Sequence, residues 1–324
     1  MTSLAFRGAL AAFASAMLAS GPACAGELAP APELLSVWGE SGSAPGELHQ
    51  PIGIAVASDG TVWVADTGND RIEAFDANGG FLRAFGSRGA GPGEFRRPMD
   101  IDVDAQGRLY VAEHGGDRVQ VFSARGELLR SVTGEDAPGG GFDAAAGVVV
   151  SPSGEVYVAD FYNHRVLAFR VDGSFRAVIG TPGRVLPGRL HYPTDLEWSD
   201  VHLVVADAYN NRIQVFTGDG HRVAGWGGLL GSGLAGDGLG SFRVATGVAV
   251  DARGRIYVAD FKNHRIQVFT SDGELVAVFG GQGSGPGEFE RPTDLDIGPD
   301  GQVYVVDFGN DRVQVFAPLI EEAP

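Results

Sequence analysis

One fourteen-residue phrase dominates this chain. VWVADTGNDRIEAF begins at Val62 and returns as LYVAEHGGDRVQVF from Leu109, VYVADFYNHRVLAF from Val156 and LVVADAYNNRIQVF from Leu203. IYVADFKNHRIQVF follows from Ile256 and VYVVDFGNDRVQVF from Val303. Successive copies start 47 residues apart, apart from one interval of 53. A fixed period of this length means that one supersecondary unit is stacked or arranged radially, each copy burying a face that it cannot bury alone.

Each phrase reads as a β-hairpin. In the first, Val62 and Val64 lie in a strand ending at Asp66, Thr67 to Asp70 form a turn, and Ile72 and Phe75 mark the return strand. A short apolar strand precedes every hairpin, such as GIAV from Gly53 or DLDI from Asp294, and tight turns such as Ser58-Asp59-Gly60 join most of them to it. A further strand follows, such as FLRAFG from Phe81. Four antiparallel strands per repeat, with no helical period, predict β-propeller blades, and six copies predict six blades. LLSVWG, from Leu34 to Gly39, has the fourth-strand pattern but stands ahead of the first inner strand, and the last copy stops after its third strand at VQVFAPL. The N-terminal strand is therefore expected to complete the C-terminal blade, which closes the ring and covers the edge that the last copy's third strand would otherwise present. The expected fold is all-β, a six-bladed β-propeller over 34–318, with 319–324 as a tail.

The composite pattern D-x-x-N-[HD]-R-[IV]-x-x-F, with P-x-[GD]-[IVL]-x-[VI] upstream and G-x-G-x-G-x-F between copies, resembles the NHL repeat family. Blade 2 departs from it at Glu113 and Gly116, and blades 3 and 5 carry Ala145 and Ala245 in place of the upstream proline. The likeness runs from Leu34 to Phe316. It implies the propeller, and because one fold hosts many functions it implies no single activity.

Met1 to Ala25 has one basic residue, Arg7, an apolar run to Leu18 and the triplet Ala23-Cys24-Ala25. This is the pattern of an export signal, and it places the protein in a periplasm or outside the cell. The run is short for a membrane span. Cys24, the single cysteine, offers lipidation as an alternative, although Gly21-Pro22-Ala23 lacks the usual leucine three places before it. Cleavage after Ala25 removes that thiol and excludes disulfides. Residues 26–33, GELAPAPE, read as a short, mobile, Pro-rich leader. The formal net charge is −17 and Lys262 is the only lysine, which argues against nucleic acid and against anionic membrane surfaces as partners.

Function is expected on the face that carries the long Gly-rich connections between blades, 87–99 and 281–293 among them, and the insertion from Gly228 to Phe242 behind the 53-residue interval. The acid and arginine repeated in every hairpin read as structural, because a catalytic group is rarely needed six times. Differences between blades are more informative. The first position of the inner strand runs Gly53, Asp100, Gly147, Asp195, Gly247, Asp294. Three carboxylates near the channel mouth either hold a cation such as Ca²⁺ or cap local backbone amides. His164 and His264 share one turn position, as ligand-binding or turn-stabilising groups. The other five histidines lack metal-ligand spacing, and no G-x-S-x-G elbow is present.

These features fit an exported scaffold that binds a peptide, glycan or protein without catalysis. An alternative is an enzyme resembling peptidyl-α-hydroxyglycine amidating lyases, whose related propellers hold zinc with histidines at inner-strand starts. This chain has Ile52-Gly53, Met99-Asp100, Thr194-Asp195 and Thr293-Asp294 there, so the likeness does not extend to the zinc ligands. A further alternative is a Ca²⁺-dependent, lactonase-like hydrolase using Asp100, Asp195 and Asp294.

Overall fold

The computed structural model describes residues 27–228 and 232–320, and the export-signal segment lies outside them. Six four-stranded antiparallel sheets follow one another around a ring. Blade 1 comprises Ile54–Val56, Val62–Asp66, Arg71–Phe75 and Phe81–Phe85 from the channel outward. The other inner strands are Pro98–Val103, Ala145–Val150, Asp195–Ser199, Ala245–Val250 and Pro292–Ile297. In blade 6 the fourth strand is Leu34–Trp38, paired antiparallel with Arg312–Phe316. The ring closes as the repeat phase requires.

The core lies between blades. Val62, Val64 and Phe75 of blade 1 pack with Trp38, Tyr304, Val306 and Val313 of blade 6, and equivalent clusters fill the other junctions. A second strand therefore has both faces covered. Val156–Asp160 is buried along its whole length, so it reads VYVAD rather than as an alternation of apolar and polar residues. The outermost strand has only one neighbour, and most of Phe81–Phe85 is exposed.

The repeated hairpin motif is a local hydrogen-bond unit. Asp66 accepts from the His49 amide (2.7 Å), Asn69 Nδ2 (2.8 Å) and Arg71 Nε (2.7 Å). The rest of the Arg71 guanidinium donates to the carbonyls of Ser43, Ala44 and Glu47 in the connection entering the blade. The ion pair recurs in every blade, with Glu113 as the acid in blade 2. These groups are structural, as expected.

The residue before each arginine is left-handed and clasps the next blade. Asp70, Asp117 and Asn211 accept the amides of Arg97, Ala144 and Val244 through Oδ1. His164 and His264 do the same through Nδ1, to Tyr192 at 3.0 Å and Arg291 at 3.2 Å. Asp311 takes the Gln50 amide at 2.7 Å and completes the circle.

The ends differ from the sequence expectation. Ala29 donates its amide to the Val276 carbonyl (2.9 Å) and packs against the junction of blades 5 and 6, so the leader is seated there. Leu319 is buried, and its carbonyl accepts from Arg255 Nη2 at 2.9 Å, so the first residue of the expected tail belongs to the core. The insertion turns back on blade 4: the Gly233 amide donates to the Gly227 carbonyl, and Asn211 Nδ2 donates to the Gly233 carbonyl. No helix among the described residues is long and apolar enough to cross a membrane.

Candidate functional site at the channel mouth

The structure brings Asp100, Asp195 and Asp294 together around the channel axis. Each carboxylate bridges two strands. One oxygen of Asp100 accepts the Ile101 amide and the other the Val148 amide of blade 3, both at 2.7 Å. Asp195 does this for Leu196 and Val248, and Asp294 for Leu295 and Ile54. The caps thus reach across to the odd-numbered blades. The glycines complete the alternation. A Cβ on Gly53 would lie 2.6 Å from the Asp100 Cα, one on Gly147 2.7 Å from the Asp195 Cα, and one on Gly247 2.6 Å from the Asp294 Cα. An inner strand starts with glycine where the following blade presses aspartate backbone against it.

Period-2 geometry puts a second ring of acids on the same channel face, one that the sequence reading did not single out. Asp102 bridges the Val103 and Val150 amides, and Asp296 bridges those of Ile297 and Val56. Glu197 accepts from Trp198. The signal was legible as D-I-D, D-L-E and D-L-D. The channel between the rings encloses only about 40 Å³, so side chains plug it.

Burial raises every one of these acids. It pushes Asp102 up to about 6 and Asp296 to about 7, and it holds Glu197 well above the carboxylate range, with help from the Asp296 and Asp102 charges. Asp100 and Asp294 are also held well above it, by burial and then by the Asp195 charge. Asp195 is raised by burial, and hydrogen bonds from Asp294 and Asp100 favour its charged form. In the first ring, burial thus shifts all three acids toward their neutral forms.

Above this ring the channel opens on the face of the long connections into a cavity of about 300 Å³. Its floor is Asp100, Asp195 and Asp294, Thr194, Thr246 and Thr293 stand beside them, and Phe161, Tyr209, Phe261 and Phe308 form walls. Three of the rings occupy one repeat position, directly after the second-strand acid, where the chain reads Thr67, His114, Phe161, Ala208, Phe261, Phe308. Tyr209 comes one residue later, is half exposed, and stands 6.3 Å from Phe161. His164 and His264 do not line this cavity. His164 stacks on His191 at 4.9 Å, between blades 3 and 4, and its clasp uses Nδ1. Among the described residues no group of three His, Cys, Asp or Glu side chains is arranged to hold a metal ion.

A larger open groove, about 450 Å³, lies at the other end of blades 3 and 4 over the Tyr157–Trp198 stack. Its polar groups are spent on one another: Arg176 pairs with Glu155 and donates to the Tyr157 hydroxyl and the Gly218 carbonyl. The smaller cavity, with its convergent acids, is the better candidate.

Residues 142–169, 242–269 and 289–316 each match the NHL repeat. This chain is a six-bladed propeller that carries NHL repeats in blades 3, 5 and 6. A second family, described as a 6-bladed beta-propeller, matches 47–136. The propeller is similar to a solved protein of unknown function from Bacteroides thetaiotaomicron, at 18% identity and a TM-score of 0.66, over 89% of this chain and 76% of that one. It is also similar to a gluconolactonase from Xanthomonas campestris, at 18% identity and TM-score 0.64, over 91% and 98%. Virginiamycin B lyase from Staphylococcus aureus aligns at 16% identity and TM-score 0.57, over 84% and 85%. At these identities the likeness concerns the fold alone.

Proposed function

We propose that this propeller is an exported binding module that holds a small ligand, or one side chain of a larger partner, in the aromatic-walled mouth of its channel. The observation that carries the reading is the cavity itself. Four blades contribute aromatic rings around a floor of acids on the face that carries the long connections. The lining supplies aromatic rings, threonine hydroxyls, three carboxylates and the Arg97 guanidinium. Aromatic faces and convergent polar groups on a rigid ring are what a recognition site requires.

The test is saturation-transfer NMR on the purified protein with monosaccharides, tripeptides and small lactones as probes. The expected result is that at least one class binds, that a Tyr209→Ala/Phe308→Ala double variant loses it, and that Trp198→Ala keeps it. Binding that follows Trp198 instead would place function on the opposite face. Silence from every class would sink the reading.

A further inference from the structure

We propose that the cavity receives a primary ammonium group (R–NH₃⁺), seated on Asp100, Asp195 and Asp294 with its carbon chain against Phe161, Tyr209, Phe261 and Phe308. The inference rests on the mouth being the binding site and names the chemistry it selects.

Symmetry is the first argument. The three aspartates come from alternate blades at one repeat position, so they surround the axis with three-fold spacing. A primary ammonium carries three N–H donors with that same spacing. Each carboxylate oxygen takes one amide hydrogen bond and keeps a second lone pair for a donor arriving from the cavity. The plugged channel below stops the group at this ring.

The walls make the second argument. Aromatic faces attract cations and cover the apolar stem behind them. At about 300 Å³ the cavity suits an alkylamine or a lysine side chain. Arg97 also lines it and is exposed, so a second positive charge at the outer end is disfavoured. The matching ligand is cationic at its inner end and neutral or anionic at its outer end. The net charge of −17 draws such ligands in from solution.

A proton balance follows. Without ligand, burial favours the neutral forms of Asp100, Asp195 and Asp294, which lie above Asp102, Glu197 and Asp296 and below Arg97. An incoming ammonium supplies donors in place of their protons, which leave to solvent. Affinity therefore rises with pH until the amine itself deprotonates.

The experiment is calorimetry on the purified protein at pH 7.5 with n-hexylamine, hexyltrimethylammonium and 1-hexanol. The expected order is hexylamine bound one to one, the trimethyl analogue about tenfold weaker for want of N–H donors, and hexanol weaker still. The heat should depend on buffer ionisation, reporting proton release. Tyr209→Ala and Phe308→Ala should each weaken hexylamine about two- to fivefold, and Asp195→Asn should remove binding. Equal binding of hexanol and hexylamine would keep the cavity as a site and overturn the ammonium assignment. Hexylamine binding unmoved by both wall substitutions overturns it too. So does stoichiometric Ca²⁺ binding that displaces the amine, because the ring is then a cation site. If no amine binds while the sugar, peptide or lactone probes do, this inference falls and the proposed function stands.

Discussion

Glu73 is best understood through its counterparts in other blades. Gln120, Gln214, Gln267 and Gln314 occupy its position, and each accepts a glycine amide through Oε1 and donates Nε2 to a carbonyl of the entering connection. Glu73 keeps the first bond, from Gly46, but its buried Oε2 has no partner. Its Oε1 also lies 3.2 Å from Arg71 Nη2. Burial outweighs that cation, and with the Asp66 and Glu47 charges it pushes Glu73 up to about 7. A raised folded-state pKa gives stability that is present below the unfolded value, near 4.5, and lost as pH rises through about 7. Glu73→Gln restores the missing donor. We expect it to stabilise the protein by about 1–2 kcal/mol at pH 8 and to change little at pH 5, as read from urea unfolding at the two pH values.

Between neighbouring elements, single side chains stitch one blade to the next. Asp294→Ala strands the Leu295 and Ile54 amides, at an expected cost of about 1–3 kcal/mol for each that water cannot reach. Denaturant melts will show whether the loss is that large. His164→Asn should stay within about 0.5 kcal/mol of wild type, because Asn211 performs the same clasp one blade on. Burial lowers the His164 pKa, so its contribution is lost as pH falls below about 6.5, and the Asn variant should lack that acid sensitivity in thermal melts. These junctions mark how far the sequence could be read. The strands, their number and the closing role of Leu34–Trp38 were visible, because each follows from local alternation and a fixed period. The ring Asp100, Asp195, Asp294 was visible too. Its reach to Val148, Val248 and Ile54 was not, because that depends on which strand of another repeat lies alongside. The aromatic wall was hidden for the same reason: Phe161 and Phe308 are far apart in the chain, and only the closed circle brings them to one cavity.

For the molecule as a whole, the buried acids make folding a proton-binding event. Burial raises Asp195, Asp296 and Glu73 to about 7 and holds Asp100, Asp294 and Glu197 well above the ordinary carboxylate range, so the folded chain binds protons that the unfolded chain has released. Folded values above unfolded ones mean that stability falls as pH rises through those folded values. The melting temperature should drop steadily from pH 6.5 to 8, and a flat or rising profile would mean that the channel acids are ionised. The closing strand has a consequence in time. Leu34 lies opposite Phe316, so the first segment of the propeller to be synthesised pairs with the last. Until residue 316 has been made and delivered, Leu34–Trp38 has no partner strand, and Arg312–Phe316 finishes as a bare edge for as long as the two ends remain apart. Closing the ring therefore requires the first strand of the fold to find the last, the kind of long-range contact whose chain-closure cost slows folding.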